Sequence, residues 1–472
     1  MDLDLPITVY NSKHSAELFN PTPMATPASP LAALAQLISA GVQTLEDAYA
    51  KQGIPYPSLD APFQPTPLDF DPALFQTAHL IVAAASQLIA TVRSPMETIQ
   101  SYAASMHVTS TLGFVVDADI ADVLKDAGPK GLHVKDIAAV NGIDADNQAR
   151  VLRFLSTRHV FTEVSPNTFA NNRVSSLLVK TKTLEEIKAD PEAKYDGAPL
   201  AAIAASTQSL KASGFLSEFL RNPGSDVSAF NTAFKTPATM WEWREEPHNA
   251  WRARRFAVGM KGGGDMFPPS IFTEGVAGDK LPADALIVDV GGSVGSVTLK
   301  LAKAFPHLRY IVQDLQKEIS EGEKFWATSA PELVASGRVQ LQVHNFFEPQ
   351  PVKDAAVYFM RVVIHDWADA AAREIMKNTR TAAGAGSKLV LFDLVMPYAC
   401  AAPGTPPVPF PLLPNLGVAG AGFVTALDIE MMTVFNGKER TVDEFRALGE
   451  ATGWKLEEVK PGMLFAFVFS AV

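Results

Sequence analysis

Three side chains in the C-terminal half have the types that proton transfer needs. One is His365, in Phe359-Met360-Arg361-Val362-Val363-Ile364-His365-Asp366-Trp367, and the others are the acids Asp393 and Glu439. A histidine titrates near neutral pH and can take the proton of a phenolic hydroxyl. A carboxylate on its far ring nitrogen would fix the tautomer and stabilise the imidazolium, as in hydrolase triads. Asp393 closes the apolar run Leu389-Val390-Leu391-Phe392-Asp393. Glu439 stands in Asn436-Gly437-Lys438-Glu439-Arg440-Thr441, before a helix capped by Thr441 with Glu444 three residues on. Each has a plainer reading. A lone histidine at a strand end is often structural, and Glu439 could complement a helix dipole or pair with Lys438 or Arg440 on the surface. Placement favours chemistry, because the C-terminal strand ends of an open α/β sheet are where its ligands bind, and Trp367 beside His365 could wall a flat substrate.

Upstream, the apolar run Leu286-Ile287-Val288-Asp289-Val290 opens into Gly291-Gly292-Ser293-Val294-Gly295-Ser296 and then a helical segment. A dinucleotide fingerprint starting at Gly291 would need glycine at 293 and 296, and both are serine. The pattern D-x-G-G-x-x-G suits the amino-acid part of S-adenosylmethionine better than a pyrophosphate. The next strand ends in Asp314, 314 − 291 = 23 positions on, where a carboxylate can accept both ribose hydroxyls of one adenosyl group. Without that acid, the turn would be as well explained by tight strand-to-helix packing. With it, the chain reads as a methyltransferase. Methyl transfer asks the protein to exclude water, align donor and acceptor, and deprotonate a hydroxyl acceptor.

The elements that must hold these residues are strands at 286–290, 309–313, 339–343, 355–360, 387–394 and 463–469, with helices from about 295, at 369–382 and at 441–453. Their alternation predicts a doubly wound α/β sheet. Ahead of it, two helices are expected at 31–50 and 74–99, joined by a proline-rich connector. Residues 115–180 carry the pattern of a winged helix: helices at 116–127, 135–141 and 146–156, then a small wing at 160–170. Its second helix brings only Arg150, Arg153 and Arg158, and the chain carries a net charge of −11, so dimerisation is favoured over nucleic-acid binding. The domains are set at 1–110 (a loose arm and helices), 111–260 (a winged-helix-like, substrate-lining region) and 261–472 (donor binding and catalysis). The proline-rich stretch 399–422 reads as a loop over a hydrophobic substrate or a surface insertion. One cysteine, Cys400, excludes a thiolate metal cluster and fits a reducing, cytoplasmic setting, and no metal is implied. No run long enough to span a bilayer is expected.

Together, 286–314, Val363-Ile364-His365-Asp366-Trp367, Asp393 before Met396-Pro397, and Asn436 to Thr441 resemble the plant- and fungal-type S-adenosylmethionine-dependent O-methyltransferases, the group that holds the caffeic acid O-methyltransferases. The flavour is that of fungal secondary metabolism. The resemblance covers about residues 110–472. It implies a homodimer built on the winged-helix domain, a Rossmann-like donor domain, a small aromatic substrate, and His365 as base flanked by Asp393 and Glu439. It further implies donor contacts at Gly291, Gly292, Gly295, Asp314, Leu315, Asn345, Phe346 and Arg361. Asn345 replaces an acid that binds the adenine amino group, an exchange expected to weaken the donor by about 1–2 kcal/mol. Arg361 replaces a lysine. Asp393 replaces a glutamate, and Ser293, in place of a third glycine, calls for a negative φ. Met240, Trp241, Trp243, Met260, Trp367, Met431 and Met432 are candidate pocket residues, each as readily core. The alternative is a relative that binds the donor without transferring methyl.

Overall fold

A computed structural model describes residues 29–222, 228–265, 267–403 and 405–472. The arm expected at 1–30 lies almost wholly outside the described residues. The described chain forms two compact units. One comprises residues 267–406 and 421–472, the other residues 29–265 and 407–420.

The second unit is mostly helical. Helix α1 (Pro30–Lys51) and helix α2 (Pro72–Val92) each start with proline at the first turn, where a missing N–H costs nothing. They pack through Leu34, Ala83 and Ala84, and Leu412 of the proline-rich stretch completes that cluster. Gln87 Nε2 donates to the Pro411 carbonyl at 2.8 Å. Val408, Leu412, Leu416 and Ala419 thus pack on this cluster, while Phe410, Leu413 and Val418 stay exposed, and residues 407–420 group with the helical unit where a domain running unbroken from 261 was expected. Helix α2 is also long and apolar enough, by length and composition, to cross a membrane, which corrects the expectation of no such run. Helices α3 (Pro95–Ala103) and α4 (Met106–Asp117) follow, the first splitting off where Pro95 ends the expected longer helix.

The winged-helix pattern is realised by α5 (Val134–Asn141) and α6 (Ala145–Ser156). They accompany a three-stranded sheet of β1 (Leu132–His133), β3 (Thr168–Asn171) and β2 (Phe161–Ser165), in that order. The arginines of its second helix have partners close at hand. Arg153 meets Glu163 at 2.9 Å and Asn167 at 2.8 Å, while Arg158 lies 3.7 Å over the Phe154 ring.

The other unit is built on seven strands: β4 (Leu286–Val290), β5 (Arg309–Asp314), β6 (Val339–Val343), β7 (Val357–Arg361), β8 (Lys388–Asp393), β9 (Trp454–Lys460) and β10 (Phe465–Ala471). Their order is β6-β5-β4-β7-β8-β10-β9. The first five are parallel, and β10 runs antiparallel between β8 and β9. Near-continuous apolar runs such as Leu-Ile-Val-Asp-Val make β4 a strand buried on both faces. One core layer holds Phe272, Leu301, Tyr310 and Trp326, the other Ile375, Met376, Phe445 and Trp454. Strand order reverses between β4 and its neighbours β5 and β7, so the C-terminal ends of β4 and β7 flank the crevice typical of this topology. The helices used below are α7 (Ser296–Ala304), α8 (Asp369–Ala382), α9 (Gly422–Phe435) and α10 (Val442–Glu450).

Candidate active site

The glycine turn leaves β4 and enters α7. Gly291 and Gly295 take left-handed φ of +74° and +83°, and both Gly291 and Gly292 donate their N–H to the Gln313 carbonyl, at 2.9 and 3.0 Å. Ser293 also lies at φ +51°, against the expected negative value. For a residue with a Cβ that region costs about 1–2 kcal/mol. Its N–H is used in return, donating to Asp314 Oδ2 at 2.8 Å. The turn therefore tolerates serine because the turn and the acid at the end of β5 hold each other.

Asp289, the acid of the D-x-G-G-x-x-G pattern, had no role assigned from sequence, and it supports the turn through Thr298. It is buried, accepts from Thr298 Oγ1 at 2.6 Å, and burial pushes its carboxyl up to about 7. A Cβ on Gly292 would stand 2.5 Å from its Cγ. Gly292→Ala must displace that carboxylate, so we expect a loss of about 1–3 kcal/mol in stability together with weaker donor binding. A thermal melt beside a calorimetric titration with S-adenosylhomocysteine reads both, and unchanged values would show that the turn relaxes freely.

Asp314 ends β5, and its two oxygens accept from Leu315 N–H at 2.7 Å and Ser293 N–H at 2.8 Å. A carboxylate offers about four lone-pair sites, so roughly two remain for a vicinal diol. Burial pushes this carboxyl up to about 6, against the two backbone donors that lower it. Leu315 is exposed. Asn345 is exposed after β6, and its Oδ1 accepts from Phe347 N–H at 3.1 Å, leaving one acceptor site on that oxygen. Phe346 lies beside the turn, 3.5 Å from where a Gly291 Cβ would stand, and packs edge-on with Trp367 at 5.9 Å. Arg361 ends β7 with its guanidinium 5.4 Å from the Phe267 ring centre. An open glycine cradle, a half-engaged carboxylate and an aromatic wall fit an S-adenosyl group, which Gly291, Gly292, Gly295, Asp314 and Phe346 would hold.

His365 sits just past β7, in the short turn Ile364–Asp366, not on the strand itself. It is 6% exposed, and its Nδ1 lies 2.6 Å from Glu439 Oε1. Asp366 Oδ1 is 3.5 Å from Nε2. Asp393 ends β8, also buried, and its carboxyl, the imidazole and the Glu439 carboxyl approach within 4.8 Å of one another. The three residues come from well-separated segments, and the crossovers of the sheet bring them together. Burial opposes a charge on His365, but Asp366, the Glu439 hydrogen bond and Asp393 outweigh it and push the imidazole up to about 10. Burial likewise pushes Asp393 up to about 7, against the pull of His365.

The surface pairing considered for Glu439 does not occur. Lys438 pairs with Glu444, and Arg440 with Asp369 at 2.9 Å. Glu439 is 2% exposed, with its N–H donating to Asp428 Oδ1 at 2.9 Å. Asp428 belongs to α9, a helix not among the expected elements, and nothing in its local pattern marks it. Of the candidate pocket residues, Trp367 packs on Phe346 and Phe347, and Met431 is buried. In the helical unit, Met240 is buried and Trp243 packs against Phe230 and Phe234, as core residues do.

Residues 221–455 match the O-methyltransferase domain model, and residues 96–181 match the O-methyltransferase dimerisation domain model. An O-methyltransferase of Armillaria gallica is 38% identical, over 91% of this chain and 95% of its own. The chain belongs to the O-methyltransferase family. A 4-O-methyltransferase of Phanerochaete chrysosporium is 34% identical over 91% of this chain and 95% of its own. Among solved structures, an O-methyltransferase from neocarzinostatin biosynthesis, in complex with S-adenosylmethionine and 2-hydroxy-5-methyl naphthoic acid, shares the fold. Its TM-score is 0.59 at 22% identity, covering 79% of this chain and 98% of that one. This O-methyltransferase is thus an S-adenosylmethionine-dependent enzyme of fungal secondary-metabolism type, homodimeric through its dimerisation domain, with a Rossmann-like mixed sheet.

Proposed function

We propose that this O-methyltransferase methylates a hydroxyl of an aromatic, phenolic or polyketide-type small molecule, with His365 as the general base. The observation that carries the reading is the buried His365–Glu439 pair at 2.6 Å, set just past the strand adjoining the glycine turn. The aromatic acceptor is supported by Phe346, Phe347 and Trp367, which gather beside that turn, and by the naphthoic acid bound to the related structure.

S-adenosylmethionine supplies a methyl group on a sulfonium that carries its own leaving group. The chain's part is to hold and to deprotonate. Glu439 accepts the Nδ1 proton, so Nε2 faces the acceptor hydroxyl as the basic nitrogen. An imidazole near 10 matches a phenol near 10, which makes proton transfer close to thermoneutral. Asp393 and Asp366 add negative field that stabilises the imidazolium once it forms. Each base is neutral in only about one part in 10³ at pH 7, so kcat should rise about tenfold per pH unit until it levels near 10.

Asp314 serves the ribose hydroxyls. Asp314→Ala should weaken S-adenosylhomocysteine roughly 10- to 150-fold, the equivalent of a charged hydrogen bond of about 1.5–3 kcal/mol. Because its folded carboxyl titrates near 6, wild-type affinity should also fall as pH drops through that value. Calorimetry at several pH values checks both, and an affinity untouched by the substitution would remove the ribose role. The function itself is tested by incubating the protein with methyl-labelled donor and hydroxylated benzenes and naphthoates, then looking for aryl methyl ethers.

A further inference from the structure

The segment 436–440 grips the His365 turn from both sides. From one side, Glu439 takes the imidazole, and Lys438 N–H donates to the His365 carbonyl at 2.8 Å. Gly437 lies so close that a Cβ there would stand 2.4 Å from the same carbonyl oxygen. From the other side comes Arg440, 1% exposed. Its Nη1 donates to the Ile364 carbonyl at 2.9 Å and its Nη2 to the Trp367 carbonyl at 2.8 Å, bracketing His365 in the chain. Asp369, at the start of α8, holds the guanidinium through Nε at 3.1 Å and Nη2 at 2.9 Å. A further bond reaches the Lys438 carbonyl at 3.3 Å. Residues 395 and 440 form a parallel bridge, and in extended chain neighbouring side chains point to opposite faces. Glu439 and Arg440 can therefore address the ring and the backbone of the same turn.

A buried guanidinium is an expensive way to gain stability, since well-packed apolar residues of similar volume do as well or better. What its planar fork offers instead is fixed geometry, several N–H groups aimed in set directions. We infer that Arg440, held by Asp369, is a positioning residue that locks the backbone on both sides of His365 and so keeps the imidazole on Glu439. The inference rests on His365 acting as the base. Neither Arg440 nor Asp369 is assigned contact with donor or acceptor.

The test uses Arg440→Lys, Asp369→Asn and His365→Ala in the full-length protein. It measures kcat against pH, affinity for S-adenosylhomocysteine, and the thermal melt. Lysine keeps the charge and loses the fork. Misplacement of a reacting group by about 1 Å can cost on the order of 10²-fold, so we expect Arg440→Lys to lower kcat roughly 10- to 100-fold. Donor affinity should stay within about twofold, because the turn at 364–367 makes none of the donor contacts assigned above. The midpoint of the rise of kcat with pH should move to lower pH as the imidazole loosens from Glu439. A merely structural arginine would lower the melting temperature without moving that midpoint. Wild-type kcat and midpoint in Arg440→Lys would overturn the inference. Should that variant fail to fold, Asp369→Asn, altered at the more exposed end of the pair, decides. It is expected to show the same directions with a smaller loss, and wild-type behaviour overturns the inference. Full turnover in His365→Ala would instead strike the base assignment, whatever Arg440 does.

Discussion

Replacing His365 by alanine is expected to lower kcat by about 10²- to 10⁴-fold while leaving S-adenosylhomocysteine affinity nearly unchanged. The size follows from removing a positioned base whose proton affinity matches that of a phenol. The selectivity follows from location, because the residues proposed to hold the donor, Gly291, Asp314 and Phe346, come from the turn after β4, the end of β5 and the loop after β6, whereas His365 lies in a separate turn after β7. Its ring is buried, so truncation also leaves a cavity and orphans the Glu439 carboxylate, and a modest loss of melting temperature should accompany the kinetic loss. Parallel loss of donor affinity would mean that His365 holds the site together without acting on the acceptor.

Glu439→Gln should have a comparable effect, with a signature in pH. The amide keeps the shape and an acceptor oxygen but loses the charge. Burial, the largest influence on His365, lowers its pKa, and the opposing raise needs Asp366, Glu439 and Asp393 together. Removing the Glu439 charge and its charged hydrogen bond should bring the imidazole down from about 10 toward its ordinary range. The sign is then fixed. More of the variant's His365 is neutral at pH 7, so kcat should level off at a lower pH than in the wild type. The plateau itself should drop by roughly 10²- to 10⁴-fold, because the imidazolium formed in the reaction loses its partner and the tautomer is no longer enforced. A profile of kcat from pH 6 to 10.5 in both proteins separates the two effects. An unmoved midpoint would show that Asp366 and Asp393 alone set the proton affinity of His365.

Strand 286–290 was legible to the residue because its near-continuous apolar run is buried, and strand 339–343 because Val-Gln-Leu-Gln-Val alternates with the period of a half-buried edge strand. Strand β9 was not. Trp454-Lys455-Leu456-Glu457-Glu458-Val459-Lys460 is an edge strand with charges facing out, and next to the helix opened by Thr441 it carries no signal of its own. Helix α9 escaped because it follows a proline-rich stretch, begins at glycine and shows no polar face. The left-handed Ser293 was misjudged because the bond to Asp314 that offsets its strain joins positions 21 residues apart. At the site, residue types marked His365, Asp393 and Glu439, since proton chemistry is written in side chains. Arg440 could not be read in the same way. Two of its partners are the carbonyls of Ile364 and Trp367, backbone groups more than 70 positions away that any residue would supply. Asp428 and Asp289 act similarly, through a backbone N–H and a neighbouring hydroxyl.

The central claim, methyl transfer to an aromatic hydroxyl through a histidine base, is met most directly by one measurement. The wild-type protein and His365→Ala are incubated at pH 9 with methyl-labelled S-adenosylmethionine and a panel of hydroxylated benzenes and naphthoates, and the labelled products are identified by mass and fragmentation. The account predicts a labelled aryl methyl ether from the wild type and at least a hundredfold less from the variant, both proteins binding S-adenosylhomocysteine alike. Equal transfer by the variant, or label appearing only on nitrogen, carbon or an aliphatic oxygen, would contradict it.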